Sequence, residues 1–471
     1  MLARTTMTDP VLTNAPMKND IWNRLKIFIN PFDARYEAMT SATWRGVVWR
    51  DVSAGLIVAM MAIPMAMGFA IAAGLRPEHG IFAGAISGIV GGLFGGSKYN
   101  TYGPVAALIP VVAGLMAAHA TPEDAFAGHR FLVLVCVCSA PILILFALLG
   151  WGKVGNLVPH SIVVGFSVGI AVLIALSQLG EILGLKAPVR GSFFTMLKTV
   201  WANLDQLNGY ALLLAALVFL IAHYLLKVSR YIPAPLIAIG VATVLSQTLF
   251  AHRDLTLVKT KFGVIPTTIP AISWPAMPTW DTAGELAFYA FAFAFVCGFE
   301  SLLCARMADR MADNKGTPYN PDKEFWGQGL ILAFVPLLSG MPLSGALART
   351  STKVILGGVT PLAELSKSIL KLLLVFFLAT YLEVVPMACI GGLLLWVAFG
   401  MVKPVEIKTI WNQNRFHAFL MVYTVLTVIV LGFLPGVISA MVIYGALYKY
   451  LDKTTEARAR GITKSIPTSQ E

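Results

Sequence analysis

The chain has 471 residues, of which 57% are hydrophobic and 13% are charged, and its mean hydropathy is +0.75. Ordinary soluble proteins carry about 25% charged residues, so this composition excludes a soluble domain and predicts a polytopic protein embedded in a lipid bilayer. The formal net charge of +11 would suggest nucleic acid in a soluble chain. Here the basic residues flank apolar runs, which positive-inside topology explains, and no nucleic-acid partner is predicted.

The start of the chain and its cysteines give no indication of a processed leader or a metal site. Residues 1–49 are polar and basic, lack the short apolar core of a cleavable signal, and are predicted to be a cytosolic lead-in. Cys136 and Cys138 lack the further cysteines or histidines that a zinc site requires. No cofactor and no metal, apart from a coupling sodium ion, is predicted.

Fourteen apolar segments follow. Their lengths can be compared with the roughly 20 residues that a membrane-spanning helix needs. They lie near 51–75, 80–96, 103–119, 129–150, 160–182, 208–227 and 232–251, and near 282–305, 324–341, 345–358, 363–384, 385–402, 414–434 and 435–451. The third and the tenth are too short, or too interrupted by Gly and Pro, for ordinary spans. Each half of the chain contains seven segments. Because seven is an odd number, the second half crosses the membrane in the opposite orientation to the first, and the sequence predicts an all-α fold with a 7+7 inverted repeat.

The segments between the spans indicate the topology. Residues 252–281 hold four prolines and no span-length apolar run, which predicts an extended extracytoplasmic linker. Residues 401–415 alternate basic and apolar residues at helical spacing, which predicts a helix on the cytosolic surface. Residues 452–471 are a short polar tail. The basic clusters place both termini in the cytosol and predict a multi-pass protein of the plasma (inner) membrane.

The first span contains Pro64, which removes one backbone hydrogen bond inside the membrane. A kink there could line a cavity, and Met65 and Phe69 would then be apolar walls of that cavity. The alternative is a structural bend in a packed helix.

The third and tenth segments each begin with a Gly and Pro bend, Gly103-Pro104 in one and Gly340 to Gly345 in the other. We interpret them as half-helices that start inside the bilayer; the alternative is an ordinary kinked span. A helix start presents unpaired N–H groups and about half a positive charge, so two starts aimed at one point would bind an anion. The predicted donors are the amides of Val105, Ala106, Leu347 and Ala348.

Glu300 interrupts the apolar eighth segment, about 9 Å inside Arg306 along a helix. This depth predicts a carboxyl group that binds a proton or helps to hold a sodium ion, and Cys304 shares its helix face. The alternative is a structural partner for Arg349 or Lys353. Lys353 itself is predicted to lie near the cytosolic face.

Arg349 follows the start of the tenth segment by one turn and is predicted to lie near mid-membrane. A charge at that depth costs about 2.5–3.5 kcal/mol on insertion scales and usually marks a pathway or a paired site. We interpret Arg349 as added positive potential at the anion site. A structural ion pair with Glu300, or a snorkelling side chain, is the alternative.

Four stretches of the chain resemble the SulP family of sulfate permeases and related anion transporters, which includes prestin. They are Asp51–Leu75, Gly95–Leu108, the run from Glu300 to Asp309 with GQGL from Gly327, and Gly340–Gly358. The resemblance covers about residues 45–450 and implies a uracil-permease-like fold with a core domain that moves against a gate domain. The core would comprise 50–150 and 282–384, and the gate would comprise 151–251 and 385–451.

The resemblance also implies roles for individual residues. Anion contacts would come from Val105, Ala106, Leu347, Ala348, Arg349, Met65 and Phe69, and the coupling cation would lie at Glu300, Cys304 and Ser344. Met65 and Phe69 stand where the family usually has Gln and Tyr, so backbone amides would carry more of the anion contact. Cys304 replaces a Thr of sodium-dependent members and is a poor ligand for a hard cation, which favours a proton over sodium. The family usually has Asn at Lys353.

The predicted function is secondary active transport of a small inorganic anion, of the bicarbonate or sulfate class, as a proton- or sodium-coupled symport by alternating access. An anion exchanger, a channel-like anion protein and a non-transporting membrane scaffold are the alternatives. An enzyme is not predicted, since the chain has no H-E-x-x-H or G-x-S-x-G motif. Most members of the family carry a cytosolic STAS domain, which this chain is expected to lack, and a homodimer is compatible with the resemblance.

Overall fold

The structure is a computed structural model that describes residues 21–121, 124, 126–152, 159–229, 231–268, 271–277, 280–413 and 415–451. The predicted tail, 452–471, and residues 1–20 of the lead-in lie outside these ranges. The first nine α-helices are α1 (Ile21–Ile29), α2 (Trp44–Ala72), α3 (Pro77–Phe94), α4 (Ile109–Ala118), α5 (Gly128–Leu149), α6 (His160–Leu183), α7 (Phe193–Ala202), α8 (Gly209–Val228) and α9 (Ala234–Thr248). The next nine are α10 (Val258–Phe262), α11 (Ala283–Met311), α12 (Pro321–Leu337), α13 (Leu347–Ile355), α14 (Leu362–Glu383), α15 (Met387–Met401), α16 (Pro404–Gln413), α17 (Arg415–Leu431) and α18 (Phe433–Leu451).

An α-helix lies in each of the fourteen predicted apolar segments. The first of these helices, α2, begins at Trp44, ahead of the predicted start at 51, and runs through Pro64 without a break. The helices long and apolar enough to cross a membrane are Trp44–Ala72, Gly128–Leu149, His160–Leu183, Gly209–Val228, Ala283–Met311 and the run Met387–Asn412. Several such helices in one chain make a multi-pass membrane protein.

Helix packing divides the described chain into two groups. In the first group α2 packs on α3 and α14, and α5 packs on α11 and α12. Helix α12 also contacts α3. In the second group α6 packs on α15 and α17, and α8 packs on α9 and α15. Contacts between the groups run mainly through α2, α4 and the turn that precedes α4.

A short antiparallel ladder joins the two halves of the chain inside the first group. Strand β1 (Tyr102–Gly103) pairs with strand β2 (Ser344–Gly345), with Tyr102 opposite Gly345 and Gly103 opposite Ser344. The amide of Ala346 extends the ladder by donating to the Thr101 carbonyl at 2.8 Å. Because each strand immediately precedes a helical turn, the ladder fixes the starts of the third and tenth segments beside each other.

The linker 252–281 was predicted to be extended, and its described part is so apart from the short helix α10. Leu257 forms an isolated bridge with Pro386, and the Val258 amide donates to the Val385 carbonyl at 2.9 Å. These bonds tie the linker to the loop before α15, because backbone groups away from water need partners.

The segment before the first span is bound to the start of α12 through Asp33. The Asp33 carboxylate accepts hydrogen bonds from the Nε of Arg35 at 2.7 Å and from the Nζ of Lys323 at 2.6 Å. Lys323 also donates to the carbonyls of Ile27 and Asn30, at 3.1 and 2.7 Å. Burial raises the pKa of Asp33, but the charges and hydrogen bonds of Arg35 and Lys323 outweigh that effect and hold it below its usual range.

Candidate functional site

The two predicted half-helix starts lie together, although the third segment differs in detail from the prediction. After β1 the chain forms a 3-10 turn over Ala106–Leu108, and the α-helix starts only at Ile109 with Pro110 in its first turn. Proline is favoured at that position because the first amides of a helix have no partner within it. No side chain caps this turn, α4 or α13. Among the described residues, the first amides at both starts therefore have no side-chain acceptor, and their contact with an anion stays a prediction.

Arg349 lies at the junction of the two starts and is 2% exposed. One of its terminal nitrogens, Nη2, donates to the Pro104 carbonyl, and the other, Nη1, has no hydrogen-bond partner within the described residues. A Cβ on Gly103 would lie 3.0 Å from the Arg349 Cζ, so only glycine admits the guanidinium there. A buried cationic N–H without a partner is costly, and an anion would satisfy it.

Glu300 does not form an ion pair with Arg349 among the described residues, so the predicted structural alternative for these two side chains is not seen. Instead, the Ser344 hydroxyl donates to the Glu300 Oε2 at 2.6 Å. This bond joins α11 to β2. It places the carboxylate at the ladder, next to the start of the tenth segment.

Glu300 also lines a small pocket. Its described lining residues are Ala107, Phe166, Phe295, Val296, Phe299, Glu300, Leu303 and Val437. Phe166 lies on α6 and Val437 on α18, whereas Ala107 follows directly on the predicted donor Ala106. The pocket thus lies between the two helix groups, and Glu300 is the single charged residue among those that line it.

The remaining predicted anion residues are not all enclosed in this region. Val105 and Ala106 are buried, Leu347 is half-buried, and Ala348 is exposed. Met65 and Phe69 are buried within α2 and do not appear among the residues that line the pocket. Their predicted contact with an anion thus stays a prediction.

Two further residues of the sequence analysis, Cys304 and Lys353, have hydrogen-bond partners that the sequence did not indicate. The Cys304 thiol donates to the Thr350 hydroxyl at 3.2 Å, and not to Glu300 or Ser344, which form their own pair. Lys353, expected near the cytosolic face, is 1% exposed, and its Nζ donates to the Lys98 carbonyl at 3.0 Å. The lysine is therefore buried within the helices, and its position near the cytosolic face stays a prediction.

A buried carboxylate that the sequence analysis missed holds the chain ahead of β1. Glu324 accepts the Gly96 amide at 2.8 Å, the Asn100 amide group at 2.7 Å and the Ser301 hydroxyl at 2.5 Å. The Tyr102 hydroxyl lies 2.9 Å from both of its oxygens. These hydrogen bonds connect α11 and α12 to the chain that leads into the third segment. Glu324 therefore holds this part of the candidate site in position.

A second missed group comprises Glu364, Lys367 and Lys371, all on α14 and at most 1% exposed. The Lys367 Nζ donates to the Tyr102 carbonyl at 2.8 Å and to the Glu364 Oε1 at 2.5 Å, and the same oxygen accepts the Tyr102 amide at 3.0 Å. Their spacing of three and four residues puts them on one helix face. Charges at that spacing inside the predicted span 363–384 are the signal that could have identified them.

Comparison with known proteins identifies the family of the chain. The sulfate permease family matches residues 48–424. The chain belongs to that family. YvdB of Bacillus subtilis, designated a candidate sulfate transporter, is 33% identical over 400 residues, which cover 84% of this chain and 73% of that protein. The bicarbonate transporter BicA of Picosynechococcus is 28% identical over 349 residues, 73% of this chain and 60% of its own. The family consists of transporters and not of enzymes, as predicted.

Solved structures of related membrane domains share the fold. The transmembrane domain of a cyanobacterial bicarbonate transporter BicA matches with a TM-score of 0.74 at 24% identity, over 84% of this chain and 97% of that one. SLC26A9 matches with a TM-score of 0.79 at 18% identity, over 90% of this chain and 68% of that one. At these identities the likeness establishes the mostly helical fold.

Proposed function

We propose that the chain is a secondary active transporter of a small inorganic anion, of the bicarbonate or sulfate class. It would work by alternating access in the plasma (inner) membrane, with both termini in the cytosol. The observation that carries the proposal is the Nη1 of Arg349, which has no partner among the described residues and is buried where a ladder holds two helix starts together. Amides and a guanidinium at one point form a site for an anion.

The proposed transport cycle uses the two helix groups as core and gate. The core would comprise 50–150 and 282–384 and carry the half-helices, and the gate would comprise 151–251 and 385–451, in a 7+7 inverted repeat of spans. The pocket beside Glu300 supports this assignment, since its walls come from both groups. Relative movement of the groups would open that pocket to one side of the membrane or the other. A homodimer is part of the proposal.

We assign Glu300 the role of coupling group, with a proton as the coupled cation. Sodium prefers several oxygen ligands, whereas the nearby Cys304 offers sulfur and is bonded to Thr350. A carboxylate beside an anion site repels the substrate, and a bound proton would remove that repulsion.

The test is uptake of labelled bicarbonate and sulfate by proteoliposomes, with an imposed proton gradient, a sodium gradient or neither. Wild-type protein should accumulate at least one anion when a proton gradient is present. Glu300→Gln should lose the dependence on that gradient, because the amide cannot exchange a proton.

The matched control is Glu285→Gln, the same change near the start of the same helix, where the side chain is 36% exposed. It should retain gradient-driven uptake. Gradient-driven uptake by Glu300→Gln would contradict coupling through Glu300, and anion-for-anion exchange without any gradient dependence would identify an exchanger. Absence of uptake of either anion by the wild type would contradict the proposed function.

A further inference from the structure

Three buried cationic side chains surround the backbone of Tyr102–Pro104. Lys367 donates to the Tyr102 carbonyl, and Arg349 donates to the Pro104 carbonyl. Lys371 lies beside the same proline, since a Cβ built on Gly84 would contact both the Lys371 Nζ and, at 3.4 Å, the Pro104 Cδ. Positive charge is therefore concentrated behind the start of the third segment.

Lys371 differs from the other two because it has neither a carbonyl nor a carboxylate partner among the described residues. It is 0% exposed, and its Nζ has no hydrogen-bond partner in the described part of the chain. The charged groups that act on it are Lys367 and Arg349, which repel an ammonium, and Glu364, which attracts it. The Glu364 Oε1 is shared by Lys367 and the Tyr102 amide, and its Oε2 has no hydrogen-bond partner among the described residues, Lys371 included. An unpaired buried ammonium costs several kcal/mol, so this position favours an arriving negative charge.

The helix opposite is shaped to admit the lysines. Gly84 and Gly88 lie one turn apart on α3 and face α14. A Cβ on Gly84 would occupy the place of the Lys371 Nζ, and a Cβ on Gly88 would lie 2.6 Å from Glu364 Oε1 and 3.0 Å from Lys367 Nζ. The two glycines of α3 thus leave the space that the charged side chains of α14 occupy, which indicates a specific site for these charges.

We infer that Lys371 is a specificity-determining residue of the proposed anion site, one that makes affinity increase with the charge of the anion. The inference rests on the proposed function. Lys371 would act through space across Pro104, and Arg349 and the backbone amides would make the direct contacts. At an effective dielectric constant of about 20 and a separation of about 10 Å, one charge changes affinity roughly tenfold for each unit of anion charge. Removal of Lys371 should therefore weaken a divalent anion about tenfold more than a monovalent one.

The test uses the full chain in proteoliposomes and compares sulfate with bicarbonate. It measures the KM of the anion that is transported and the inhibition constant of the other anion. Lys371→Met removes the charge at similar length, and Lys371→Gln is a second neutral variant in case the first does not fold. Both should raise the sulfate constant about tenfold more than the bicarbonate constant. Lys371→Arg should restore the wild-type ratio, and Lys227→Met, at an exposed lysine of α8, should leave it unchanged.

Equal changes in the two constants for a folded neutral variant would overturn the inference, and so would a ratio that arginine fails to restore. A merely structural lysine would lower the amount of folded protein or the maximal rate without altering the ratio. A wild type that transports and binds neither anion would overturn the proposed function instead. The two failures are thus distinguishable.

Discussion

Replacement of Glu324 should destabilise the fold in a graded way that its hydrogen bonds determine. Its Oε2 accepts the Gly96 amide, its Oε1 accepts Asn100 and Ser301, and the Tyr102 hydroxyl reaches both. In Glu324→Gln the amide NH2 fits best at the Oε2 side, because the Oε1 side faces two donors. The Gly96 N–H then loses its acceptor, which costs about 1–3 kcal/mol for a buried group.

Glu324→Ala should be more damaging because every donor loses its acceptor and the side-chain volume is left empty. Asn100 can fall back on the Ser301 hydroxyl at 3.2 Å, but the Gly96 amide and the hydroxyls of Ser301 and Tyr102 have no such substitute in the network. Three unsatisfied buried groups and a cavity together cost about 4 kcal/mol or more. The expected order of stability is wild type, then glutamine, then alanine.

The assay is thermal unfolding of the purified protein in detergent, followed by the loss of the monodisperse size-exclusion peak. For a chain of this length a change of 1 kcal/mol moves the midpoint by about 2 °C or less. The glutamine variant should lose a few degrees and the alanine variant at least twice as many. Asp205→Asn, the same carboxylate-to-amide change at an exposed position, is the control. Midpoints within a degree of wild type for both Glu324 variants would refute the reasoning.

Two further substitutions test the packing and the electrostatics. A Cβ on Gly91 would lie 2.7 Å from the Tyr102 Cγ, so Gly91→Ala should lower the thermal midpoint by an amount equivalent to about 1–3 kcal/mol. Gly114→Ala, with open space at the same distance, should be neutral or stabilising, and equal losses in both would contradict the packing argument. The pKa of Asp33 lies below its usual range, so its ion pair with Lys323 contributes stability at neutral pH that is lost as the pH falls through the folded-state pKa. Asp33→Asn should therefore be less stable than wild type at neutral pH, and the gap should close as the pH falls through the lowered pKa of Asp33. A gap that widens with acid would contradict this.

The positions of the helices could be predicted from the sequence because membrane spans require long apolar runs. The Gly and Pro bends at Gly103-Pro104 and before Leu347 similarly indicated where the third and tenth segments would be interrupted. The 3-10 turn before Ile109 was not predicted, since Pro104 and Pro110 fit either a helix start or a tighter turn.

The partners of the charged residues could not be predicted in the same way. Arg349 and Pro104 are 245 positions apart, and Glu324 and Tyr102 are 222 apart. Periodicity gives the face of one helix but not the neighbour that the face meets. For this reason Glu300 was expected to pair with Arg349 as one alternative, whereas it bonds to Ser344.

Met65 and Phe69 illustrate a related limit. The helix that contains them is apolar on nearly all sides, with buried residues throughout its second half. Such a sequence identifies a buried helix without indicating which side faces a cavity.

The ladder between β1 and β2 has a consequence for biosynthesis. Neither strand can satisfy its backbone until the other is present, and the residues they bring together come from opposite halves of the membrane region. During synthesis the third segment therefore has to wait, unpaired, until the ribosome has delivered the tenth. Contacts this distant in sequence form late and slowly. A chain that stalls or is cleaved between them would leave a nascent protein with exposed polar backbone in the lipid, a substrate for membrane quality control.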